Sequence, residues 1–195
     1  MSDLLDASEA ESPAPRRRLA PFVALAVALV LGALFIVLAR GKGDKADVVQ
    51  SFLVNKPAPA VISTTLDGKP FDLSRRKGSV VVLNFFNSTC IPCKREHPEL
   101  INFVAQQRQL GADGAELYTV VDADSDSNVR AWFRDHGGDW PIVTDDDGSI
   151  STAFGVAQVP ETWIIDGNGI IRVRIPGPTT SAQIAQLVQQ VRLAA

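Results

Sequence analysis

The two cysteines constrain the fold of this chain more than any other feature, because both lie where a buried strand meets a long helix. The residues before the pair read SVVVLNFF (Ser79 to Phe86), a nearly continuous run typical of a strand buried on both faces. A helical pattern follows and ends at Gly111. Cys90 is therefore expected at or near a helix N-terminus, with Cys93 on the same helix face.

The sequence around Cys90 favours redox chemistry. Three residues with good N-cap side chains precede it, namely Asn87, Ser88 and Thr89. The N–H groups and partial positive charge of a helix N-terminus stabilise a thiolate. Such a thiolate at Cys90 can attack a disulfide of a partner, and Cys93 can then resolve the mixed disulfide. We predict a redox-active Cys90–Cys93 disulfide that needs no metal and no other cofactor.

Two other uses of a cysteine pair fit the sequence less well. A zinc site needs further ligands at typical spacings, which the only histidines, His97 and His136, do not supply. A purely structural disulfide would close a very short loop and gain little chain entropy. The segment DADSDSN (Asp122 to Asn128) resembles the start of a calcium loop but lacks the glycine at its sixth position. We interpret that segment as a solvated loop and helix cap.

An uncharged stretch of 21 residues, Leu19 to Ala39, is long enough to cross a bilayer. The arginines at 16–18 favour a cytoplasmic N-terminus and an extracytoplasmic C-terminal domain, where disulfides persist. A cleaved signal peptide and a buried soluble helix are the alternatives. We therefore predict four segments: a disordered cytoplasmic tail (1–18), a transmembrane signal anchor (19–39), a linker (40–55) and a folded domain (56–195).

Strand and helix patterns alternate through the predicted domain. The cysteine helix is followed by a second strand (115–122), a short helix (128–137), a hairpin around DGNG (161–175) and a last helix (about 180–193). This order predicts an α/β fold with a mixed central sheet flanked by helices and an antiparallel edge. The net charge of -3 argues against a nucleic-acid partner.

Three segments together resemble a known family. VVVLNFFNSTCIPCKREHPEL is similar to the active-site segment of membrane-anchored thioredoxin-like proteins of the TlpA/ResA/CcmG (DsbE) group. KPAPA with LDGKPFDLSRRKG is similar to their N-terminal hairpin, and FGVAQVPETWIIDGNGIIRVRIPG to a later loop segment. The resemblance covers about residues 56–192. It implies a thioredoxin fold with an extra N-terminal β-hairpin, preceded by one transmembrane helix, and thiol exchange associated with cytochrome c maturation.

The resemblance also implies a substrate-binding surface beside the cysteines. Pro160 is expected to be cis and to face the pair, and the backbone near Val159 to pair with an extended substrate. Glu96 is expected to take a proton from Cys93, with a solvated helix charge as the alternative. Glu161 is expected to contact a partner or handle protons, unless it is a plain surface charge. The other candidate contacts adjoin the cysteines: Thr89, Ile91 and Pro92.

Two positions depart from the related proteins. Related chains often have Trp before the first cysteine, where this chain has Thr89. Ordinary thioredoxins have a buried Asp six residues before that cysteine, where this chain has Asn84. Because an amide cannot accept the proton, the relay must use another group or water. We expect both changes to affect the redox potential and to leave thiol exchange intact.

The expected function is therefore that of a membrane-tethered thiol-disulfide oxidoreductase. It would reduce the haem-binding CxxCH pair of apocytochrome c, and an integral membrane thiol carrier would supply its electrons. The same chemistry in reverse would make it an oxidase that forms disulfides in secreted proteins. A peroxiredoxin-type peroxidase is a weaker alternative, because it needs Thr where this chain has Asn87. A non-enzymatic module that binds haem or apocytochrome is the last alternative.

Overall fold

The computed structural model describes residues 20–40 and 51–194. They belong to two separate units, one within residues 1–47 and one within residues 48–195. Helix α1 (Ala20–Arg40) belongs to the first unit. No helix in the described part of the chain has the length and hydropathy required of a membrane span. The predicted tail, the first residue of the predicted anchor and most of the predicted linker lie outside the described residues.

A mixed sheet forms the centre of the second unit. The described part of this unit contributes five strands to it: β3 (Val81–Phe86), β4 (Glu116–Val121), β5 (Ile142–Val143), β6 (Glu161–Ile165) and β7 (Ile171–Pro176). Their spatial order is β5-β4-β3-β6-β7. The pairs β3–β4 and β4–β5 are parallel, whereas β3–β6 and β6–β7 are antiparallel. The predicted α/β fold with a mixed sheet and an antiparallel edge is confirmed.

Two helices cover one face of the sheet, α2 (Ile91–Gln109) and α5 (Ser181–Ala194). Phe103 of α2 and Ile184 of α5 pack with Val82 of β3 in one buried apolar cluster. Because side chains alternate along a strand, the neighbouring Leu83 packs in a different cluster. That second cluster includes Phe154 of the short helix α4 (Ser149–Phe154). All six residues of β3 are buried, as its apolar sequence predicted.

The N-terminal hairpin, made of β1 (Ile62–Thr64) and β2 (Pro70–Asp72), protects one edge of the sheet. The Leu66 N–H donates to the Ile142 carbonyl at 2.8 Å, and the Thr144 N–H donates to the Thr64 carbonyl at 2.9 Å. These bonds cover the outer side of β5, which would otherwise be a free edge. The hairpin that the resemblance implied is therefore present.

The described end of the predicted linker lies against the opposite part of the sheet. Leu53 and Val54 pack on the core, and the Asn55 N–H donates to the Ile171 carbonyl at 2.7 Å. Residues 53–55 therefore already contact the folded unit, a few residues before the predicted start of the domain.

Candidate active site

The two cysteines form a disulfide at the start of α2, with their Cα atoms 5.3 Å apart. Cys90 is itself the N-cap residue, and its Sγ accepts a hydrogen bond from the Cys93 N–H at 3.1 Å. The same N–H would stabilise a Cys90 thiolate after reduction. Cys93 is only 1% exposed, whereas Cys90 is partly exposed. A partner can therefore reach Cys90 but not Cys93.

The residues considered as N-caps hold the cysteine loop instead. The Asn87 amide donates to the carbonyls of Asp122 and Ala123, and its Oδ1 accepts from the Thr89 N–H at 2.8 Å. The Ser88 N–H donates to the Asp124 carboxylate at 2.7 Å. Sequence reasoning missed this use of Asn87 and Asp124, because the bonds join segments more than thirty residues apart in the chain. They fasten the cysteine loop to the loop that follows β4.

The loop before β6 lies directly beside the disulfide. The Val159–Pro160 peptide bond is cis, as the resemblance implied. The Cys90 Sγ is 3.4 Å from the Val159 carbonyl oxygen, and the Pro160 carbonyl accepts from the Gly177 N–H at 2.9 Å. The structure thus brings together Cys90, Val159 and Pro160. Of the residues next to Cys90 in the chain, Thr89 is exposed and Ile91 is 69% exposed, while Pro92 is partly buried in the first turn of α2.

Glu96 is a buried acid rather than a solvated helix charge, since only 2% of it is exposed. Its carboxyl oxygens accept hydrogen bonds from the Asn84 amide and the Thr179 N–H, each at 2.9 Å. Burial raises the pKa of Glu96 to about 7, against the effect of these two bonds. Glu96 follows Cys93 by three residues on α2, so the two buried side chains share one helix face.

Asn84 occupies the position at which ordinary thioredoxins have the buried Asp. It is fully buried, and its amide donates to Glu96 and to Thr162 Oγ1 at 3.0 Å. Its own oxygen Oδ1 has no hydrogen-bond partner among the described residues. The buried acid of this site is therefore Glu96 of α2, and strand β3 contributes the Asn84 amide that donates a hydrogen bond to it.

Glu161 is also buried rather than a plain surface charge, with 1% exposed. Arg174 donates to its carboxylate at 2.7 Å, and the Arg174 guanidinium lies 5.5 Å from the centre of the Trp163 ring. Glu161, the residue after Pro160, therefore forms an ion pair with Arg174. The two candidate acids of the site thus differ, because Glu96 is held by neutral donors and Glu161 by a cation.

His97 does not face Cys90. It is buried among the rings of Phe86, Phe133 and other aromatic residues, and its Nε2 lies 2.9 Å from the Gly137 carbonyl oxygen. Burial lowers the pKa of His97, so the neutral ring is the stable form. In the part of the chain that the structure describes, no three His, Cys, Asp or Glu residues are grouped as metal ligands.

Comparison with known proteins agrees with the fold and the site. The AhpC/TSA family model matches residues 54–174. The chain is 35% identical over 139 residues to the thiol:disulfide interchange protein HelX of Rhodobacter capsulatus, covering 70% of this chain and 75% of HelX. It is 26% identical over 171 residues to the thiol-disulfide oxidoreductase ResA of Bacillus thuringiensis, covering 87% and 95%.

A solved structure of a related protein has the same fold. A thioredoxin-family thiol:disulfide interchange protein of Chlorobium tepidum superimposes with a TM-score of 0.62 at 26% identity, covering 69% of this chain and 94% of that one. The chain therefore belongs to the AhpC/TSA family, as a thioredoxin-fold protein of the TlpA/ResA/DsbE type. Its activity is that of a thiol-disulfide oxidoreductase with Cys90 and Cys93 as the CxxC pair.

Proposed function

We propose that the chain is a membrane-tethered, extracytoplasmic reductase of protein disulfides, and that its substrate is the CxxCH pair of apocytochrome c. The substrate class comes from the family resemblance of the three sequence segments. The tether is segment 19–39, which is uncharged and follows three arginines. The electron donor is an integral membrane thiol carrier, since a domain held at the membrane surface meets such a carrier readily.

The reaction proceeds in two exchange steps from the dithiol form. The Cys90 thiolate attacks one sulfur of the substrate disulfide, and the other substrate sulfur leaves as a thiolate that takes up a proton. The Cys93 thiol then gives its proton to Glu96 and attacks Cys90 Sγ. This second step forms the Cys90–Cys93 disulfide and releases the second substrate thiolate, which is protonated in turn. A donor dithiol restores the reduced enzyme by the same exchange.

One observation carries the thiol-exchange part of this proposal: Glu96, whose pKa burial raises to about 7, shares a helix face with the buried Cys93. A base with this pKa is well matched to proton transfer near neutral pH. Cys93 itself is shielded from water and cannot readily lose its proton to solvent. We therefore assign Glu96 as the proton acceptor in the resolving step and as the proton donor when the disulfide is reduced again.

The substrate would bind across the loop that precedes β6. An extended peptide can pair with the backbone at Val159, as in strand addition, and bring its disulfide to Cys90. The exposed side chain of Ile91 gives an apolar contact on the other side of Cys90. Thr89, Pro92 and Pro160 complete the surface. Because Glu161 is buried with Arg174, we assign it to holding this loop rather than to touching the substrate.

The decisive test is the redox equilibrium of the purified full chain. The protein is equilibrated with glutathione and dithiol buffers, and the Cys90–Cys93 disulfide is read by thiol alkylation. We expect a potential near or below about -220 mV, in the range of thioredoxin and glutaredoxins. A potential near about -120 mV would instead mean that the enzyme is an oxidase. A second assay, reduction of an oxidised CxxCH peptide compared with an unrelated disulfide peptide, tests the substrate.

A further inference from the structure

A second concave site lies between the N-terminal hairpin and helix α3 (Asp126–His136). It is a cleft of about 750 Å³, which is within the usual size range of binding pockets. Its lining includes four aromatic residues: Trp140 is partly exposed, whereas Phe71, Tyr118 and Phe133 are nearly buried behind it. Neighbouring rings pack tightly, because the Phe71 and Tyr118 centroids are 4.7 Å apart and those of Phe133 and Trp140 are 5.6 Å apart. None of these residues takes part in the thiol exchange described above.

The rim of the cleft is basic although the chain as a whole has a net charge of -3. Four basic side chains line it, from the hairpin, the segment after β2 and α3: Lys69, Arg76, Arg130 and Arg134. Two acidic side chains, Asp67 and Asp139, also line it. Asp139 forms an exposed ion pair with Arg108 at 3.0 Å, which offsets little of its charge, so the lining holds four basic side chains against two acidic ones. The cleft is therefore a local positive region on an acidic protein.

The basic side chains differ in how open they are to a ligand, because Lys69, Arg130 and Arg134 are exposed and Arg76 is half-buried. Among the described residues, Arg134 forms an ion pair only with its neighbour Asp135, and both side chains are more than half exposed, so this contact is weak and exchangeable. Arg76 lies 3.6 Å from Glu116, and its Nε is buried without a hydrogen-bond partner among the described residues. Arg130 has a structural role as well, since it donates to the Leu66 carbonyl and thereby holds the hairpin.

The cleft is close enough to the cysteines for one partner segment to use both sites. Helix α3 starts beside the cysteine loop, because Asp124 just before it accepts the Ser88 N–H. With a rise of about 1.5 Å per residue, Arg134 lies roughly 14 Å along the axis from the N-cap Ser125. An extended chain covers that distance in about four residues, and the gap between Cys90 and Ser125 adds to the span. Phe133 of the cleft also packs in the same apolar cluster as Cys93.

We propose that this basic cleft binds an acidic segment of the protein whose disulfide the enzyme reduces. Carboxylates of the segment pair with Lys69, Arg76 and Arg134, and one apolar side chain rests on Trp140. The cleft thereby selects partners that carry acidic residues at least four positions from the disulfide. This proposal rests on the proposed function, because it takes a protein disulfide as the substrate.

The test compares two synthetic peptides that share one oxidised CxxC pair. One carries Glu-Glu-Phe-Glu about six residues from the pair, and the other carries Gln-Gln-Phe-Gln at the same position. We expect the full chain to reduce the acidic peptide about tenfold faster in kcat/KM at low salt, with the advantage fading as salt is added. Hydroxyethyl disulfide, which is small and neutral, serves as a reference substrate. Equal kcat/KM values for the two peptides would overturn the proposal.

A matched pair of variants assigns the effect to the cleft. Arg134→Glu reverses a charge in the cleft, and Arg75→Glu reverses an arginine outside it that is 80% exposed, against 71% for Arg134, and that also lies near an acidic side chain, Asp72. Arg134→Glu should lower the rate with the acidic peptide at least threefold and leave hydroxyethyl disulfide unchanged. Arg75→Glu should leave both rates unchanged. Equal losses in the two variants would mean that only the overall charge matters, and would overturn the proposal.

A binding measurement separates this proposal from the proposed function. Calorimetry follows the binding of cysteine-free versions of both peptides to the full-chain variant Cys90→Ser/Cys93→Ser. Tighter binding of the acidic peptide supports the cleft even if the wild-type chain reduces no peptide, a result that would reject the proposed function alone. Reduction of both peptides without any difference in binding would keep the proposed function and reject the cleft.

Discussion

Two buried carboxyl groups at opposite ends of strand β6 behave in opposite ways. Glu96 lies beside the start of β6, through Asn84 and Thr162, and Asp166 follows its end. Both are almost fully buried, with 2% and 1% of the residue exposed. Burial acts to raise the pKa of each group. Yet the pKa of Glu96 rises to about 7, whereas the pKa of Asp166 falls below its ordinary value.

The partners of the two groups explain the difference. Glu96 has only an amide and one backbone N–H as donors. Asp166 accepts from the N–H groups of Ile170 and Asn168 and forms an ion pair with Arg172 at 2.7 Å, which together outweigh its burial. Burial alone therefore does not make an acid that can exchange protons near neutral pH. A buried carboxyl group with no cation beside it can exchange protons near neutral pH, and Glu96 is such a group.

The largest effect should follow from replacing Asp166, the buried acid that forms an ion pair with Arg172. Asp166→Ala leaves two backbone N–H groups and Arg172 without their acceptor, so we expect the free energy of unfolding to fall by about 4 kcal/mol. Turnover of the remaining folded protein should stay within about twofold of wild type, because Asp166 is remote from the disulfide. Urea denaturation at pH 7 measures the stability, and a loss below about 1 kcal/mol would contradict this account.

The second prediction concerns the pH dependence of stability. Because the pKa of Glu96 in the folded chain exceeds its ordinary value of 4.5, its stabilising contribution is complete below pH 4.5 and is lost as the pH rises through about 7. The loss is on the order of 3 kcal/mol at about 1.4 kcal/mol per pKa unit. Asp166, with a lowered pKa, should act in reverse and lose its contribution only as the pH falls below 3.8. Urea midpoints of wild type and Glu96→Gln should therefore diverge between pH 4.5 and 7, and parallel curves would count against a protonated Glu96.

The third prediction concerns the rate of the resolving step. Without a proton acceptor beside Cys93, Glu96→Gln should slow release of the mixed disulfide about 100-fold at pH 7. Wild-type activity should rise as the pH passes about 7, when Glu96 loses its proton, and the variant should lack that rise. Stopped-flow measurement with a single-turnover substrate follows the step.

Glu99→Gln is the matched control for this rate. Glu99 lies one turn further along α2 and accepts from the Ser181 N–H and hydroxyl, bonds that lower its pKa. The control should keep the wild-type pH profile. If both variants lose the rise near pH 7, the effect belongs to the helix charge in general rather than to Glu96.

Local sequence patterns predicted most of the fold. The nearly continuous apolar run of β3 predicted that the strand is buried on both faces, and the DGNG hairpin predicted the antiparallel edge. The cysteine spacing predicted the disulfide at the start of α2, and the family resemblance predicted the cis bond before Pro160. In each case the signal lies within a short segment, because strand burial, turns and helix starts depend mainly on neighbouring residues.

The environments of the charged groups could not be predicted in this way. The residues KREHPE around Glu96 are typical of an exposed helix. The burial of Glu96 depends on Asn84 and Thr179, which come from other parts of the fold. Glu161 likewise meets Arg174 only through the pairing of β6 with β7. The basic cleft also combines the hairpin with α3. Such contacts are set by tertiary packing, which a single sequence does not display.

The smallest predicted effect tests the role of the cation directly. Arg172→Gln removes the charge beside Asp166 but keeps the N–H donors of Asn168 and Ile170, so the pKa of Asp166 should move up toward its ordinary value of 3.8. The side chain of Arg172 is 34% exposed, so solvent screens the pair and the free energy of unfolding at pH 7 should fall by only about 1 kcal/mol. Carboxyl NMR titration measures the pKa, with Arg75→Gln as the control for a lost surface charge.

If Asp166 titrates as before in Arg172→Gln, the backbone N–H groups alone hold it ionised. The contrast with Glu96 would then rest on the number of donors and not on the cation.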